Sequence, residues 1–140
     1  DLHGQKFIKA LKDFVCENKG KHLLIPSMGQ LRYLSTLQYV TFVIGNSSSG
    51  IIEAPSFKIP TVNVGDRQKG RLSSESVIHT GVEKNEIEKA IHKALSAEFQ
   101  KKCKAFINPY KKDNTSKSVI KIIENANLEA LQQKKFIDIL

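Results

Sequence analysis

The chain has 140 residues, of which 40% are hydrophobic, and this is enough material for one domain with its own apolar core. Lysine and arginine (22) outnumber aspartate and glutamate (14) and give a net charge of +8, but the lysines are scattered and no aromatic residues alternate with them. A nucleic-acid surface is therefore not expected. No apolar run approaches the roughly 20 residues that span a bilayer, so a membrane is not expected either. The positive charge would still attract a nucleotide diphosphate.

Apolar stripes of helical period alternate with short β-branched runs along the chain. Strands separated by helices predict an α/β fold, a Rossmann-like parallel sheet with helices on both faces. Gly20 is expected to end the first helix. The predicted elements are, in chain order, helix 5–18, strand 22–26, helix 30–39, strand 41–45, helix 49–57, strand 61–64, strand 76–79, helix 82–95, helical residues 98–106, a break at 108–110, helix 116–133 and a tail at 136–139.

The two cysteines give no sign of a disulfide or of a metal site. Cys16 and Cys103 are far apart in the chain and belong to no CxxC or Cys/His spacing. We therefore expect reduced thiols, a cytoplasmic location and no metal. The chain begins at Asp1 and runs almost at once into a helix, and we expect it to be a piece of a longer protein.

The segment from Val40 to Pro55 is the most informative part of the sequence, because a β-branched apolar run stops in a polar loop between two glycines. Glycines and serines let the backbone approach a ligand, and unpaired N–H groups with the helix dipole favour a phosphate. A simple helix cap is the alternative, but three serines exceed what a cap requires. The predicted phosphate-binding residues are Ser47, Ser48, Ser49 and Gly50.

Glu53 follows this loop about one turn into the predicted helix. A carboxylate would repel a phosphate, but it suits the paired hydroxyls of a ribose. The alternative is a solvated helix residue or a partner of the helix dipole. Ligands of parallel sheets bind beyond the carboxyl ends of the strands, where both the Gly45 loop and the segment after Val64 lie. The sequence therefore predicts a nucleotide site.

Two segments carry a resemblance to a known family. Residues 45–57 (GNSSSGIIEAPSF) and 60–71 (PTVNVGDRQKGR) resemble the UDP-N-acetylglucosamine 2-epimerase family, most of all the hydrolysing enzymes of bacterial sialic acid synthesis, which release N-acetylmannosamine and UDP. Residues 30–34 and 108–110 are similar to further segments of that family. The resemblance covers only the C-terminal lobe of a two-lobed, GT-B-like enzyme. It implies that residues 1–140 are the UDP-binding lobe.

The resemblance also implies roles for individual residues. In the family, the serines of this loop hold the UDP diphosphate, which carries over to Ser47 and Ser48 with Ser49 nearby. The helix glutamate holds the ribose hydroxyls, which carries over to Glu53. Arg67 matches an arginine that approaches the nucleotide, and its planar fork suits phosphate oxygens.

Three further positions are candidates for contact with the nucleotide sugar. Gln68 and Arg71 belong to the same motif as the matched arginine. Gln30 opens a helix near the ligand edge of the sheet, where it would meet the uracil, although a plain turn and cap explains it equally well.

The resemblance places the acid and base carboxylates of the reaction in the N-terminal lobe, so no catalytic residue is expected in this chain. The implied reaction is anti-elimination of UDP to a glycal followed by hydration, and no metal or redox cofactor is implied. The alternatives are a non-hydrolysing epimerase, the nucleotide-sugar-binding lobe of a GT-B glycosyltransferase and a stand-alone nucleotide-binding module. The motif at 65–71 favours the hydrolysing epimerase. Homo-oligomerisation through the full-length enzyme stays open.

Overall fold

Three short parallel strands form the centre of the fold. The structure is a computed structural model, and it describes residues 2–18 and 20–127, with side chains from residue 4 onward. Strands β1 (Val43–Gly45), β2 (Thr61–Val64) and β3 (Val77–Thr80) pair in that order. Both pairings are parallel, with Val43 opposite Thr61 and Thr61 opposite Val77. The strands predicted at 41–45, 61–64 and 76–79 are confirmed to within about two residues.

The strand predicted at 22–26 is wrong. These residues join no strand of the described chain, and Leu23 is 83% exposed. Leu24, Ile25 and Pro26 instead line an apolar hollow of about 300 Å³ together with side chains of the first helix. An apolar run becomes a strand only where a neighbouring strand accepts its hydrogen bonds, and β1 pairs only with β2 among the described residues.

The described part of the chain also contains six α-helices and one 3₁₀ turn. The helix predicted at 49–57 is divided, because Pro55 lacks the N–H that an α-helix needs in its interior. The helix predicted at 116–133 ends at Glu124, and residues 125–127 are not helical. The part of this predicted helix beyond residue 127, and the tail at 136–139, lie outside the described residues. None of the described helices is long and apolar enough to cross a membrane. The elements are α1 (Leu2–Glu17), α2 (Gly29–Thr36), α3 (Ser49–Ile52), a 3₁₀ turn (Ala54–Phe57), α4 (Lys84–Leu95), α5 (Ala97–Cys103) and α6 (Thr115–Glu124).

Helices cover both faces of the sheet, as predicted for an α/β fold. Val62 of β2 packs in one buried cluster with Ala90 and Ala94 of α4 and Cys103 of α5. Thr61 precedes Val62 and contacts α3. Because alternate residues of a strand point to opposite faces, α3 and α4 lie on opposite sides of β2. Burial within the cluster raises the pKa of the Cys103 thiol, and both Cys103 and Cys16 are free.

Gly50 lets α3 lie directly on β2. Its carbonyl accepts a hydrogen bond from the Thr61 hydroxyl at 2.8 Å. A Cβ atom at Gly50 would lie 2.7 Å from Thr61 Cγ2, which is closer than real Cβ contacts allow. The glycine of the predicted phosphate loop therefore has a packing function of its own.

We expect Gly50→Ala to destabilise the fold by about 1–3 kcal/mol, because the new methyl group overlaps the Thr61 methyl group. Thr61→Ser removes that methyl group and keeps the hydroxyl. In the Thr61→Ser background, Gly50→Ala should become neutral or stabilising, since alanine is favoured over glycine in helices by about 1 kcal/mol. Urea unfolding of the unmodified chain, the two single variants and the double variant measures this; an equal cost of Gly50→Ala in both backgrounds contradicts the packing argument.

Candidate functional site

The loop of residues 46–49, here called the serine loop, connects β1 to α3 at the carboxyl end of β1. The Ser47 hydroxyl accepts a hydrogen bond from the Ser49 N–H at 3.3 Å, and the Ser47 carbonyl accepts from the Gly50 N–H at 3.2 Å. Within the described residues, the N–H groups of Ser47 and Ser48 and the Ser48 hydroxyl have no partner. These donors are free to bind an anion. The four-residue α3 adds only a short dipole to them.

Helix α2 contacts the serine loop through Tyr33. The Ser49 hydroxyl donates a hydrogen bond to the Tyr33 hydroxyl at 2.5 Å. Gln30 lies three residues earlier on α2, on the same face as Tyr33, and is exposed. The sequence prediction included Gln30 but not Tyr33, although Tyr33 belongs to the 30–34 segment that carries the resemblance.

Glu53 lies at the end of α3 with its side chain half-buried. Its backbone N–H donates to the Ser49 carbonyl at 2.9 Å, so the helix fixes its backbone. The carboxylate oxygen Oε2 is buried and has no hydrogen-bond partner, and no lysine or arginine of the described chain forms an ion pair with it. A buried acceptor without a donor is unfavourable by about 1–3 kcal/mol. A ligand hydroxyl would satisfy it.

Residues 65–71, here called the arginine loop, follow β2. Gly65 opens the loop with φ of +74°, a conformation that favours glycine, and donates its N–H to the Thr80 carbonyl at 2.8 Å. The side chains of Arg67 and Arg71 are exposed and form no hydrogen bond or ion pair with any described residue. Their guanidinium groups are therefore free for a ligand.

Gln68 ties the arginine loop to the serine loop. It is 3% exposed, and its Nε2 donates to the Asn46 carbonyl at 2.8 Å. Its Oε1 is buried without a partner. The side chain thus holds together the two loops that carry Ser47 and Arg67. The contact of Gln68 with a ligand stays a prediction.

A cavity of about 410 Å³ opens at the carboxyl ends of β2 and β3. The predicted residues therefore form two groups: the serine loop and Glu53 lie after β1, whereas Gln68 and Arg71 line this cavity. Arg67 does not line it. The lining consists of three glycines (Gly65, Gly70, Gly81) and six larger residues (Asp66, Gln68, Lys69, Arg71, His79, Thr80).

His79 of β3 is held in place at this cavity. Its Nδ1 lies 3.2 Å from Asn63 Nδ2, and its Nε2 lies 3.2 Å from Ser73 Oγ. With Asn63 Nδ2 as the donor, Nδ1 accepts and Nε2–H donates to Ser73. The ring therefore links β3 to Asn63 of β2 and to Ser73, which lies two residues after the arginine loop. Among the described residues, no group of three histidines, cysteines or carboxylates is placed to hold a metal ion.

The sequence profile of the UDP-N-acetylglucosamine 2-epimerase family matches residues 3–124. The chain belongs to this family. Over 140 residues it is 39% identical to the Campylobacter jejuni protein named GDP/UDP-N,N'-diacetylbacillosamine 2-epimerase (hydrolyzing), covering 99% of this chain and 36% of that relative. It is 40% identical over 117 residues to polysialic acid biosynthesis protein P7 of Escherichia coli, covering 84% of this chain and 29% of P7.

A third relative is the UDP-N-acetylglucosamine 2-epimerase of Neisseria meningitidis, which is 34% identical over 131 residues, 92% of this chain and 34% of the relative. The chain therefore spans about a third of the length of these relatives (36%, 29% and 34%). The family expected from the two motifs is confirmed. In this epimerase-family chain, the serine loop, Glu53 and the arginine loop all lie within the matched range.

We expect Gln68→Ala to loosen the serine loop, because it removes the hydrogen bond to the Asn46 carbonyl. The amides of Ser49 and Gly50, which are hydrogen-bonded to Ser47, should exchange with solvent about two- to tenfold faster, which corresponds to the loss of one hydrogen bond. Hydrogen exchange read by mass spectrometry or NMR measures this. Gln38→Ala, at an exposed glutamine after α2, is the matched control. Unchanged exchange at Ser49 and Gly50 would show that Gln68 does not support this loop.

Proposed function

We propose that residues 1–140 form the UDP-binding C-terminal lobe of a hydrolysing UDP-N-acetylglucosamine 2-epimerase, a cytoplasmic enzyme that releases N-acetylmannosamine and UDP. One observation carries the proposal: unpartnered donors at Ser47 and Ser48 lie one short helix away from an unpartnered carboxylate oxygen at Glu53. Donors suit a diphosphate, and a lone acceptor suits ribose hydroxyls. A nucleoside diphosphate presents both.

The free cations of the arginine loop support the same ligand. Arg67 would pair with phosphate oxygens through two parallel hydrogen bonds, which a lysine cannot form. The ion pairs of the described chain are three exposed pairs, each between residues four apart on one helix, so none of them competes for Arg67. Gly50 and Ser49 complete the proposed UDP contacts, with Gln30, Gln68 and Arg71 as further candidates.

The names of the relatives favour hydrolysis and leave a second substrate open. Relatives from Campylobacter jejuni and Legionella pneumophila are both named as hydrolysing 2-epimerases of N,N'-diacetylbacillosamine linked to a nucleotide. UDP-N,N'-diacetylbacillosamine is therefore the second candidate substrate for the whole enzyme. The two sugars differ away from the UDP, so the proposed lobe serves either. Turnover of each sugar nucleotide by the full-length enzyme decides between them.

In the proposed reaction, a base removes the C2 proton of the sugar while the C1–O bond breaks and UDP departs with the bonding electrons. Water then adds to the resulting glycal. This lobe supplies donors to the departing diphosphate, whose negative charge increases as the bond breaks. The base and acid belong to the other lobe, so both lobes must close on the sugar. The proposal includes no metal or redox cofactor.

We expect the chain to bind UDP weakly but more tightly than uridine, because the diphosphate engages the serine loop and Arg67. Arg67→Ala should weaken UDP and inorganic pyrophosphate alike, by about tenfold or more, as expected for a hydrogen bond to a charged group. Glu53→Gln should weaken UDP and uridine, but leave pyrophosphate binding unchanged or tighter. Isothermal titration calorimetry measures the affinities for UDP, uridine and pyrophosphate.

Two surface variants control for net charge in this experiment. Lys12→Ala on α1 removes one positive charge, as Arg67→Ala does, and Glu88→Gln on α4 removes one negative charge, as Glu53→Gln does. Both should leave the affinities unchanged. Equal affinity of the unmodified chain for uridine and UDP would contradict the phosphate site. Equal loss of pyrophosphate and UDP in Glu53→Gln would make the glutamate structural.

We expect the 140-residue chain alone to release no N-acetylmannosamine from UDP-N-acetylglucosamine, because the base for the C2 proton lies in the other lobe. A chain that includes the N-terminal lobe should release UDP, and Arg67→Ala in that chain should lower kcat without lowering the free energy of unfolding. A coupled assay for UDP measures both. Turnover by the 140-residue chain would place the acid and base within residues 1–140.

A further inference from the structure

The segment Asn108–Tyr110 contacts both halves of the proposed UDP site, although it lies far downstream of them in the chain. We propose that Asn108 and Tyr110 are positioning residues: Asn108 holds the backbone that carries Glu53, and Tyr110 holds the end of the arginine loop. The inference rests on the proposed function, because it takes the UDP site as the structure that these two residues hold. Neither residue needs to touch the nucleotide.

Asn108 fixes the peptide that precedes Glu53. Its side chain is 5% exposed, and Nδ2 donates to the Ile52 carbonyl at 2.8 Å and to Ser56 Oγ at 2.7 Å. Its Oδ1 accepts from the Tyr110 N–H at 3.0 Å. Both amide hydrogens and the amide oxygen are thus used, and a fully satisfied buried amide is rigid.

The geometry of the Ile52–Glu53 peptide explains why this contact matters for the carboxylate. The Ile52 carbonyl and the Glu53 N–H belong to one planar unit. Asn108 binds the carbonyl end, and the Ser49 carbonyl binds the N–H end at 2.9 Å. With both ends held, the backbone of Glu53 cannot rotate freely, and its side chain leaves from a fixed Cα.

Tyr110 fixes the arginine loop from the other side. Its hydroxyl donates to the Leu72 carbonyl at 2.8 Å, immediately after Arg71. The start of the loop is fixed by the hydrogen bond from the Gly65 N–H to the Thr80 carbonyl. Its middle is fixed by the hydrogen bond from the Gln68 side chain to the Asn46 carbonyl. Tyr110 therefore restrains the end of the segment that carries both arginines, next to Ser73, which contacts His79.

Restraint of an exposed loop raises ligand affinity in proportion to the fraction of time that the loop spends in the binding conformation. Loss of one neutral hydrogen bond should reduce that fraction by about two- to tenfold. The effect should appear only for ligand groups that the arginine loop contacts. Substitution of a residue that stabilises the whole fold would instead lower the free energy of unfolding, and its effect would not be limited to the ligand groups that the arginine loop contacts.

The test uses Tyr110→Phe, which removes only the hydroxyl of a residue that is 41% exposed. The matched control is Tyr39→Phe, since Tyr39 is 87% exposed and its hydroxyl makes no hydrogen bond with the described residues. Calorimetry should show UDP and pyrophosphate binding weakened about two- to tenfold in Tyr110→Phe and uridine binding unchanged. Tyr39→Phe should match the unmodified chain. Pyrophosphate binding unchanged in Tyr110→Phe overturns the proposal.

A double-mutant cycle separates positioning from a general effect on the fold. If Tyr110 acts through the arginines, its effect on UDP affinity should disappear in Arg67→Ala or in Arg71→Ala. If Tyr110→Phe weakens UDP binding in both of those backgrounds as much as it does in the unmodified chain, the proposal is overturned. Hydrogen exchange adds a reading without ligand: amides 66–72 should exchange faster in Tyr110→Phe than in Tyr39→Phe, and equal rates overturn it.

The Asn108 arm uses Asn108→Asp, which keeps the size of the side chain and removes both amide donors. Uridine and UDP should bind more weakly, while pyrophosphate should not. Ser56→Ala is the control, because it removes one Asn108 partner but leaves the bond to the Ile52 carbonyl. If Asn108→Asp does not fold, the Tyr110 arm decides. If Glu53→Gln and Arg67→Ala change the ligand affinities as expected and Tyr110→Phe does not, this inference alone is refuted. If the unmodified chain binds neither UDP nor pyrophosphate, the proposed function is refuted.

Discussion

The close contact of α3 with β2 at Gly50 and Thr61 is the constraint on which the arrangement of the candidate site depends. The Gly50 carbonyl accepts the Thr61 hydroxyl at 2.8 Å, and the space between them excludes a Cβ atom. Because α3 is so short, its contact with the strand fixes both of its ends. The serine loop enters at one end and Glu53 leaves at the other. Gly50, which the packing of α3 on β2 requires, therefore also sets the distance between the proposed phosphate and ribose contacts.

Side-chain amides, rather than ion pairs, hold the loops of the site together. Gln68 joins the arginine loop to the serine loop, and Asn108 joins the 108–110 segment to the end of α3. Both side chains are almost fully buried. Amides suit this function because their neutral hydrogen bonds fix the positions of the loops without pairing with a charged side chain. The guanidinium groups of Arg67 and Arg71 are consequently left without carboxylate partners in the described chain.

Local patterns in the sequence predicted the elements whose partners are supplied by the central sheet. The β-branched runs at 61–64 and 76–79 became β2 and β3, since each has a neighbour that accepts its hydrogen bonds. The run at 22–26 is apolar too but has no such neighbour, and Pro55 divided a helix whose apolar pattern continued through it. Periodicity reports which residues prefer burial, but it does not report whether a partner is present.

The same difference explains which residues of the candidate site could be predicted from the sequence. Ser47 and Glu53 stand in a motif whose chemistry is local, so the sequence pattern alone predicted them, whereas Arg67 was predicted from the resemblance to the family. The contacts of Tyr33 with Ser49 and of Asn108 with Ile52 join distant segments through single hydrogen bonds. Such contacts have no period and no spacing. The 30–34 and 108–110 segments carried the resemblance, but nothing in their residue types indicated which atoms they would hold.

Under the proposed function, the two halves of the site contribute to different steps of the reaction. The ribose hydroxyls do not change when UDP departs, so a bond from Glu53 stabilises the bound substrate and the transition state equally. Such uniform binding lowers KM and leaves kcat unchanged. The diphosphate gains charge as the C1–O bond breaks, so donors at Ser47, Ser48 and Arg67 bind the transition state more strongly than the substrate. Residues that position the arginine loop therefore act on kcat, whereas those that position Glu53 act on KM.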